Sequence, residues 1–235
     1  MTSGNLTFAC GQHTLAATRF EPPAGGEPRL LTLAGLGVNA TRQTLHYLLE
    51  DLQALGHGAL SFDFSGNGDS TGIFQESCLR RRREEVLAAA RLLDPQRSPI
   101  LLGTSMGGHL GASVASVLYP ETLILFCPAA YPAYALDVNF DGNLARPWCY
   151  PNSPAFAGIR EFAGDLLIIG AKFDQVVPRE VLDYYMECAS SARSKSILWL
   201  DCDHFIHRWL PYNPIQREEV VRRIHQTIQS APLPA

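Results

Sequence analysis

The order of apolar runs in this chain predicts an α/β fold, a mostly parallel central sheet flanked by helices. Two observations carry that expectation. From about residue 29 onward, short β-compatible apolar runs alternate with longer helix-compatible runs, the pattern of strands joined by crossover helices. A hydrophobic content of 46% over 235 residues is also enough to bury one large core. The simplest organisation is a single domain over residues 1–235 with one insertion at about 128–164.

The elements follow in order. Leu6–Cys10 and Thr14–Thr18 flank Gly11-Gln12-His13 and read as a hairpin, after which the Pro- and Gly-rich stretch Glu21–Pro28 reads as a loop. Six further short apolar runs predict strands at Arg29–Leu33, Gly58–Phe62, Pro99–Leu102, Thr122–Phe126, Asp165–Ile169 and Ser196–Leu200. Helical patterns lie between or after them at Thr41–Leu55, Cys78–Leu93, Met106–Tyr119, Arg179–Ser190 and Asn213–Ile228. Arg80-Arg81-Arg82-Arg83 is followed by Glu84 and Glu85, four residues on from Arg80 and Arg81, so the run is expected on a solvated helix face. Residues 128–164 carry Tyr131, Tyr134, Phe140, Trp148, Tyr150, Phe156 and Phe162 among prolines, with no clear period, and are expected to form a short lid after the sixth strand.

Composition excludes several classes of partner. Net charge is 19 − 23 = −4, which gives no electrostatic reason to bind nucleic acid or an anionic membrane, so a small-molecule partner is expected. The start of the chain lacks a basic segment followed by an apolar one, and no run of ~18 apolar residues occurs, so a cytoplasmic location without a membrane span is expected. Cys10, Cys78, Cys127, Cys149, Cys188 and Cys202 show neither CxxC nor metal-like spacing, and most are expected to be buried thiols. Oligomeric state is left open, a homodimer among the options.

The residues that point to chemistry begin with Gly103-Thr104-Ser105-Met106-Gly107, a Gly-x-Ser-x-Gly sequence between a strand and a helix. A serine on so sharp a turn needs small residues two positions away on each side, and the turn places the Met106 amide at a helix N-terminus, where it can donate to a developing oxyanion. With this elbow and four further motifs, the chain resembles the α/β-hydrolase family over nearly its whole length. Ala34-Gly35-Leu36-Gly37 is similar to the family's His-Gly-x-Gly oxyanion loop, with Ala34 in place of the histidine that often braces it; the resemblance makes the Leu36 amide the second oxyanion donor. Asp63-Phe64-Ser65-Gly66-Asn67-Gly68-Asp69-Ser70 resembles a turn whose role in the family is structural. Gly170–Pro178 resembles the acid loop and makes Asp174 the acid, while Leu200–Phe205 resembles the histidine loop and makes His204 the base. The chain order Ser, Asp, His is the one that family uses.

The alternatives are His207 as base, and Asp137 or Asp141 as acid; Asp203 is too near His204 in sequence to orient its ring, and His109 reads as a packing residue. The resemblance is greatest to feruloyl-esterase-like and monoacylglycerol-lipase-like members. It implies a serine hydrolase acting through an acyl-serine; the aromatic content of the expected lid, with Tyr131, Tyr134, Trp148 and Tyr150 expected to contact substrate, makes a carboxylic ester of a small apolar or aryl acyl group the first expectation. Neither a metal nor an organic cofactor is called for. A thioesterase acting on acyl-CoA or carrier-bound acyl chains is the second expectation, and a non-catalytic ligand-binding module of the same fold the third.

Overall fold

The computed structural model describes residues 2–230, so the extreme ends of the expected 1–235 domain lie outside the described residues. It opens with an antiparallel hairpin, β1 (Ser3–Cys10) and β2 (His13–Phe20), in register from Ser3 opposite Phe20 to Cys10 opposite His13. There follow β3 (Leu30–Leu33), α1 (His46–Ala54), β4 (Ala59–Phe62), α2 (Leu79–Ala90) and β5 (Ile100–Thr104). Next come α3 (Met106–Ser113), α4 (Ala115–Leu118), β6 (Thr122–Phe126), α5 (Pro154–Glu161) and β7 (Asp165–Ala171). The chain closes with α6 (Arg179–Cys188), β8 (Ser194–Leu200), α7 (Ile206–Trp209) and α8 (Pro214–Gln229). The eight strands form one sheet in the order β1-β2-β4-β3-β5-β6-β7-β8. β2 pairs antiparallel with β4, and every pairing from β4 through β8 is parallel.

Successive strand residues point to opposite faces, which splits one continuous apolar run between two cores. Leu101, Leu123, Leu125, Leu166 and Ile168 pack with α2, α3, α5 and α6 on one side. Ile100, Leu102, Ile124, Phe126, Leu167 and Ile169 pack with α1 and α8 on the other. Burial on both faces is why these strands read as unbroken hydrophobic stretches rather than alternating ones.

Several elements differ from the sequence reading. The helix expected at Thr41–Leu55 begins as a 3-10 turn over Arg42–Leu45 before α1. The helix expected at Met106–Tyr119 is broken at Val114 and ends on Tyr119 in a left-handed conformation, φ 46°. Within residues 128–164, where no period was visible, α5 forms after Ser153, with Pro154 as its first residue. Proline suits the first helical position, and Ala155, Phe156 and Ile159 fall on one buried face. Gly158 lets this helix approach α3 closely, since a Cβ there would strike the Ala112 carbonyl. Tyr131, Phe140, Phe156 and Phe162 of the same segment lie in the core. The arginine run also departs from expectation: Arg80 is exposed and pairs with Asp137, but Arg82 is fully buried and lies 3.6 Å from the equally buried Glu85. Sequence spacing gave no sign of this, because the aromatic rings of Phe64, Phe74 and Phe140 that receive the guanidinium come from distant segments.

Candidate active site

The strand order creates the site. From β3 the chain crosses to β4 on one side, then returns past β3 to β5 on the other, so the loops leaving β3 and β5 diverge and open a crevice at the carboxyl edge of the sheet. Ala34–Gly37 follows β3 into this crevice, and Ser105 follows β5.

Ser105 adopts φ 52° and ψ −110°, a conformation that costs a non-glycine residue about 1–3 kcal/mol and persists only where its surroundings impose it. They do so here. Its N–H donates to the Phe126 carbonyl at 2.8 Å, and its own carbonyl accepts from His109 N at 3.1 Å and Ala129 N at 3.0 Å. The flanking glycines are required sterically: a Cβ on Gly103 would collide with the Gly107 backbone, and one on Gly107 with the Leu33 carbonyl. Met106 is the first residue of α3, so its N–H has no acceptor within the helix.

Asp174, in the loop after β7, and His204, in the loop after β8, meet with His204 Nδ1 2.7 Å from Asp174 Oδ2. The other carboxylate oxygen, Oδ1, accepts the N–H groups of Val176 and Val177, each at 2.8 Å. Burial alone would raise the Asp174 pKa. The hydrogen bond from His204 and the two backbone amides outweigh it and hold the carboxyl below its ordinary value. With one ring nitrogen bound to Asp174, Nε2 is the nitrogen left to act on another group. Ser105 and His204 both line a cavity of about 330 Å³, together with Gly35, Leu36, Val38, Phe205 and Ile206. The inner wall is more polar, with Thr32, Ser61, Thr104 and His207.

The alternative residues are engaged elsewhere. His207 is buried with Nδ1 3.0 Å from Tyr47 Oη and Nε2 2.8 Å from Thr104 Oγ1, and burial pushes its pKa down to about 3. Asp137 pairs with Arg80, Asp141 bonds Asn143, and Asp203 accepts the Phe205 amide. His109 is buried beneath Tyr131, ring centroids 5.1 Å apart, and accepts the Tyr131 N–H. Tyr131, Tyr134, Trp148 and Tyr150 are not among the residues lining the cavity: Tyr131 is core, while Tyr134 and Trp148 are largely exposed. Tyr150 donates its hydroxyl to the Arg146 carbonyl.

All six cysteines are free. Burial pushes the Cys202 thiol up to about 11, which disfavours a thiolate nucleophile there. Cys127, Asp174 and His204 are the one group of described residues whose donor atoms converge to within 4.8 Å, the ligand number and chemistry of a small metal site. Burial raises the Cys127 thiol well above its ordinary range, and Asp174 and His204 already stand at hydrogen-bond distance. That pairing is what a serine nucleophile's base requires.

No protein-family model matches the chain. Palmitoyl-protein thioesterase ABHD10, mitochondrial, from human is 36% identical over 94 residues, 39% of this chain and 29% of that protein. The match thus spans less than a third of the relative's length. Among solved structures, Est1E from Butyrivibrio proteoclasticus with ferulic acid bound aligns with a TM-score of 0.74 at 19% identity, covering 96% of this chain and 98% of that one. Alpha/beta hydrolase domain-containing protein 10 from mouse aligns with a TM-score of 0.68 at 17% identity, covering 97% and 100%. These likenesses show the fold, that of the α/β hydrolases. Among the described residues no helix is long and apolar enough to cross a membrane.

Proposed function

From the α/β-hydrolase fold as premise, we propose that the chain is a serine hydrolase that cleaves a carboxylic ester of a small apolar or aryl acyl group. The observation that carries this reading is the placement of a strained serine and an aspartate-bound histidine on one cavity. His204 takes the Ser105 proton as Oγ attacks the acyl carbon, and the Leu36 and Met106 amides receive the oxyanion. Collapse of the tetrahedral intermediate expels the alcohol, protonated by His204. Water, deprotonated by the same ring, then attacks the acyl-serine and releases the acid. Asp174 stays ionised and stabilises the imidazolium, for which its depressed pKa suits it. A cavity of about 330 Å³ lies at the small end of the usual range for ligand sites, which favours a compact acyl group.

The human relative's name is the observation in favour of a second reading, a thioesterase with the same residues and a sulfur leaving group. The reading keeps the protein in the cytoplasm, whereas that relative is named mitochondrial; cell fractionation decides between the two. For the activity, a fluorophosphonate probe should label Ser105. Matched p-nitrophenyl esters and acyl-CoA thioesters should then rank the leaving groups by kcat/KM. A protein that neither labels at Ser105 nor turns over any member of the panel is not a serine hydrolase.

A further inference from the structure

Ala34 stands where a bracing histidine is found in the motif it resembles, yet the loop it begins is held from below. Asn67, buried in the 63–70 turn, donates from Nδ2 to the Gly37 carbonyl at 2.7 Å and to the Val38 carbonyl at 3.1 Å, the two residues that follow Leu36. Its Oδ1 accepts from Arg82 Nη2 at 3.0 Å. The amide can sit only one way round, because carbonyls need its donors and the guanidinium needs its acceptor. Arg82 is itself fixed, with its guanidinium 4.8 Å from the Phe64 ring centroid and 3.6 Å from Glu85, whose Oε2 accepts the Ser65 amide. A second pin holds the far end of the loop: Arg42 N donates to Asp63 Oδ1 at 2.6 Å, and Ser61 Oγ to the Arg42 carbonyl at 3.0 Å.

Packing alone does not account for Arg82. Its Nε and Nη1, like Glu85 Oε1, have no hydrogen-bond partner among the described residues. A buried ion pair so incompletely satisfied is generally no more stabilising than apolar side chains of the same volume. What the charge supplies is a fixed direction for one amide, and that amide fixes the carbonyls of the two residues that follow the oxyanion donor.

We propose that Asn67 and Arg82 are positioning residues for the oxyanion loop, Arg82 orienting Asn67 and Asn67 holding the Gly37 and Val38 carbonyls so that the Leu36 N–H faces the oxyanion. This rests on the serine-hydrolase reading. Removing an oxyanion donor costs on the order of 10²–10³ in kcat, and loosening one costs less. Asn67→Asp replaces the donors by oxygens that repel both carbonyls, and Asn67→Ser, smaller and uncharged, fits the site even if the aspartate variant fails to fold. Either change in the full chain should lower kcat by roughly tenfold to a hundredfold with KM within about threefold. Inhibition by phenylboronic acid, which becomes tetrahedral on Ser105, should weaken by the same factor. Arg82→Met added to Asn67→Ser should cost kcat little more than Asn67→Ser alone, since the arginine acts through the amide. Variants with wild-type kcat and boronate affinity but a lowered Tm overturn the proposal and leave the serine-hydrolase reading intact. A wild-type protein without turnover or labelling overturns both.

Discussion

Ser105 carries its strained backbone whether or not it has a hydroxyl, because the hydrogen bonds to Phe126, His109 and Ala129 are all made by main-chain atoms. Ser105→Ala should therefore unfold at an unchanged temperature while ester turnover falls by more than about a thousandfold. A variant that keeps a few per cent of activity is using another nucleophile. Asp174→Asn preserves shape but presents a donor where His204 Nδ1 needs an acceptor, and kcat should drop on the order of 10⁴-fold. His204→Ala should abolish turnover. His207→Ala should instead destabilise, by about 1 kcal/mol for the part-buried Tyr47 and Thr104 hydroxyls that lose a partner, and change kcat by less than about tenfold. Kinetics on the folded fraction of each variant separate these outcomes. At this scale the sequence was legible where a local rule forces an identity, as with Gly103 and Gly107, whose small size the turn demands. It was silent on Arg82, because helical charge spacing describes a helix face without saying what lies opposite it, and it read the turn that holds Asn67 as structural without showing which carbonyls the amide would meet.

Elements were legible in proportion to how much of their burial is local. Strands β3 to β7 are apolar on both faces, so each announces itself within its own residues. The segment between β6 and β7 does not: its aromatics are buried one at a time against α3 and α6, Phe156 against Tyr184 and Tyr185 at 4.6 and 4.9 Å, and no period results. The aromatic content that suggested a lid over substrate is thus largely core, and the cavity is walled by the loop before α1 and the loop leading into α7. That placement makes a prediction about specificity. Phe205, about half exposed and lining the cavity, contributes apolar wall, so Phe205→Ala should lower kcat/KM for butyrate and aryl esters several-fold more than for acetate. Trp148→Ala, outside the lining, should leave that ratio unchanged. The opposite ranking would put the acyl group beneath residues 128–164 after all.

For the whole molecule, the two-sided core buries ionisable rings as well as hydrocarbon, and this ties stability to pH. His109 and His207 lie on opposite sides of β5, and desolvation pushes each down to about 3, His207 with further help from the nearby His204. In the unfolded chain both rings titrate near ~6.5. Below that pH the unfolded state binds protons that the folded state refuses, so the folded state loses ground as pH falls. The loss runs from about 6.5 down toward 3, at up to ~1.4 kcal/mol per pH unit for each ring. Asp174 acts in the same direction but lower: its pKa is depressed by folding, so its contribution is complete above the ordinary carboxylate range and is lost only as pH falls through its folded value. Between about pH 6 and pH 4.5 the lowered rings therefore set the slope, His57, pushed down to about 4 by burial and by His225, and His46, lowered by burial and by Arg42, adding to His109 and His207 in the same direction. Urea unfolding at a series of pH values should show stability level above neutrality and falling steadily through this window. His207→Gln, which can still bond Tyr47 or Thr104 but never titrates, should flatten the fall by about 1.4 kcal/mol per pH unit. A variant with the wild-type slope would mean that His207 takes up a proton in the folded protein as readily as in the unfolded chain, and a ring that is neutral above that range yet free to accept a proton would return it to contention as the base for Ser105.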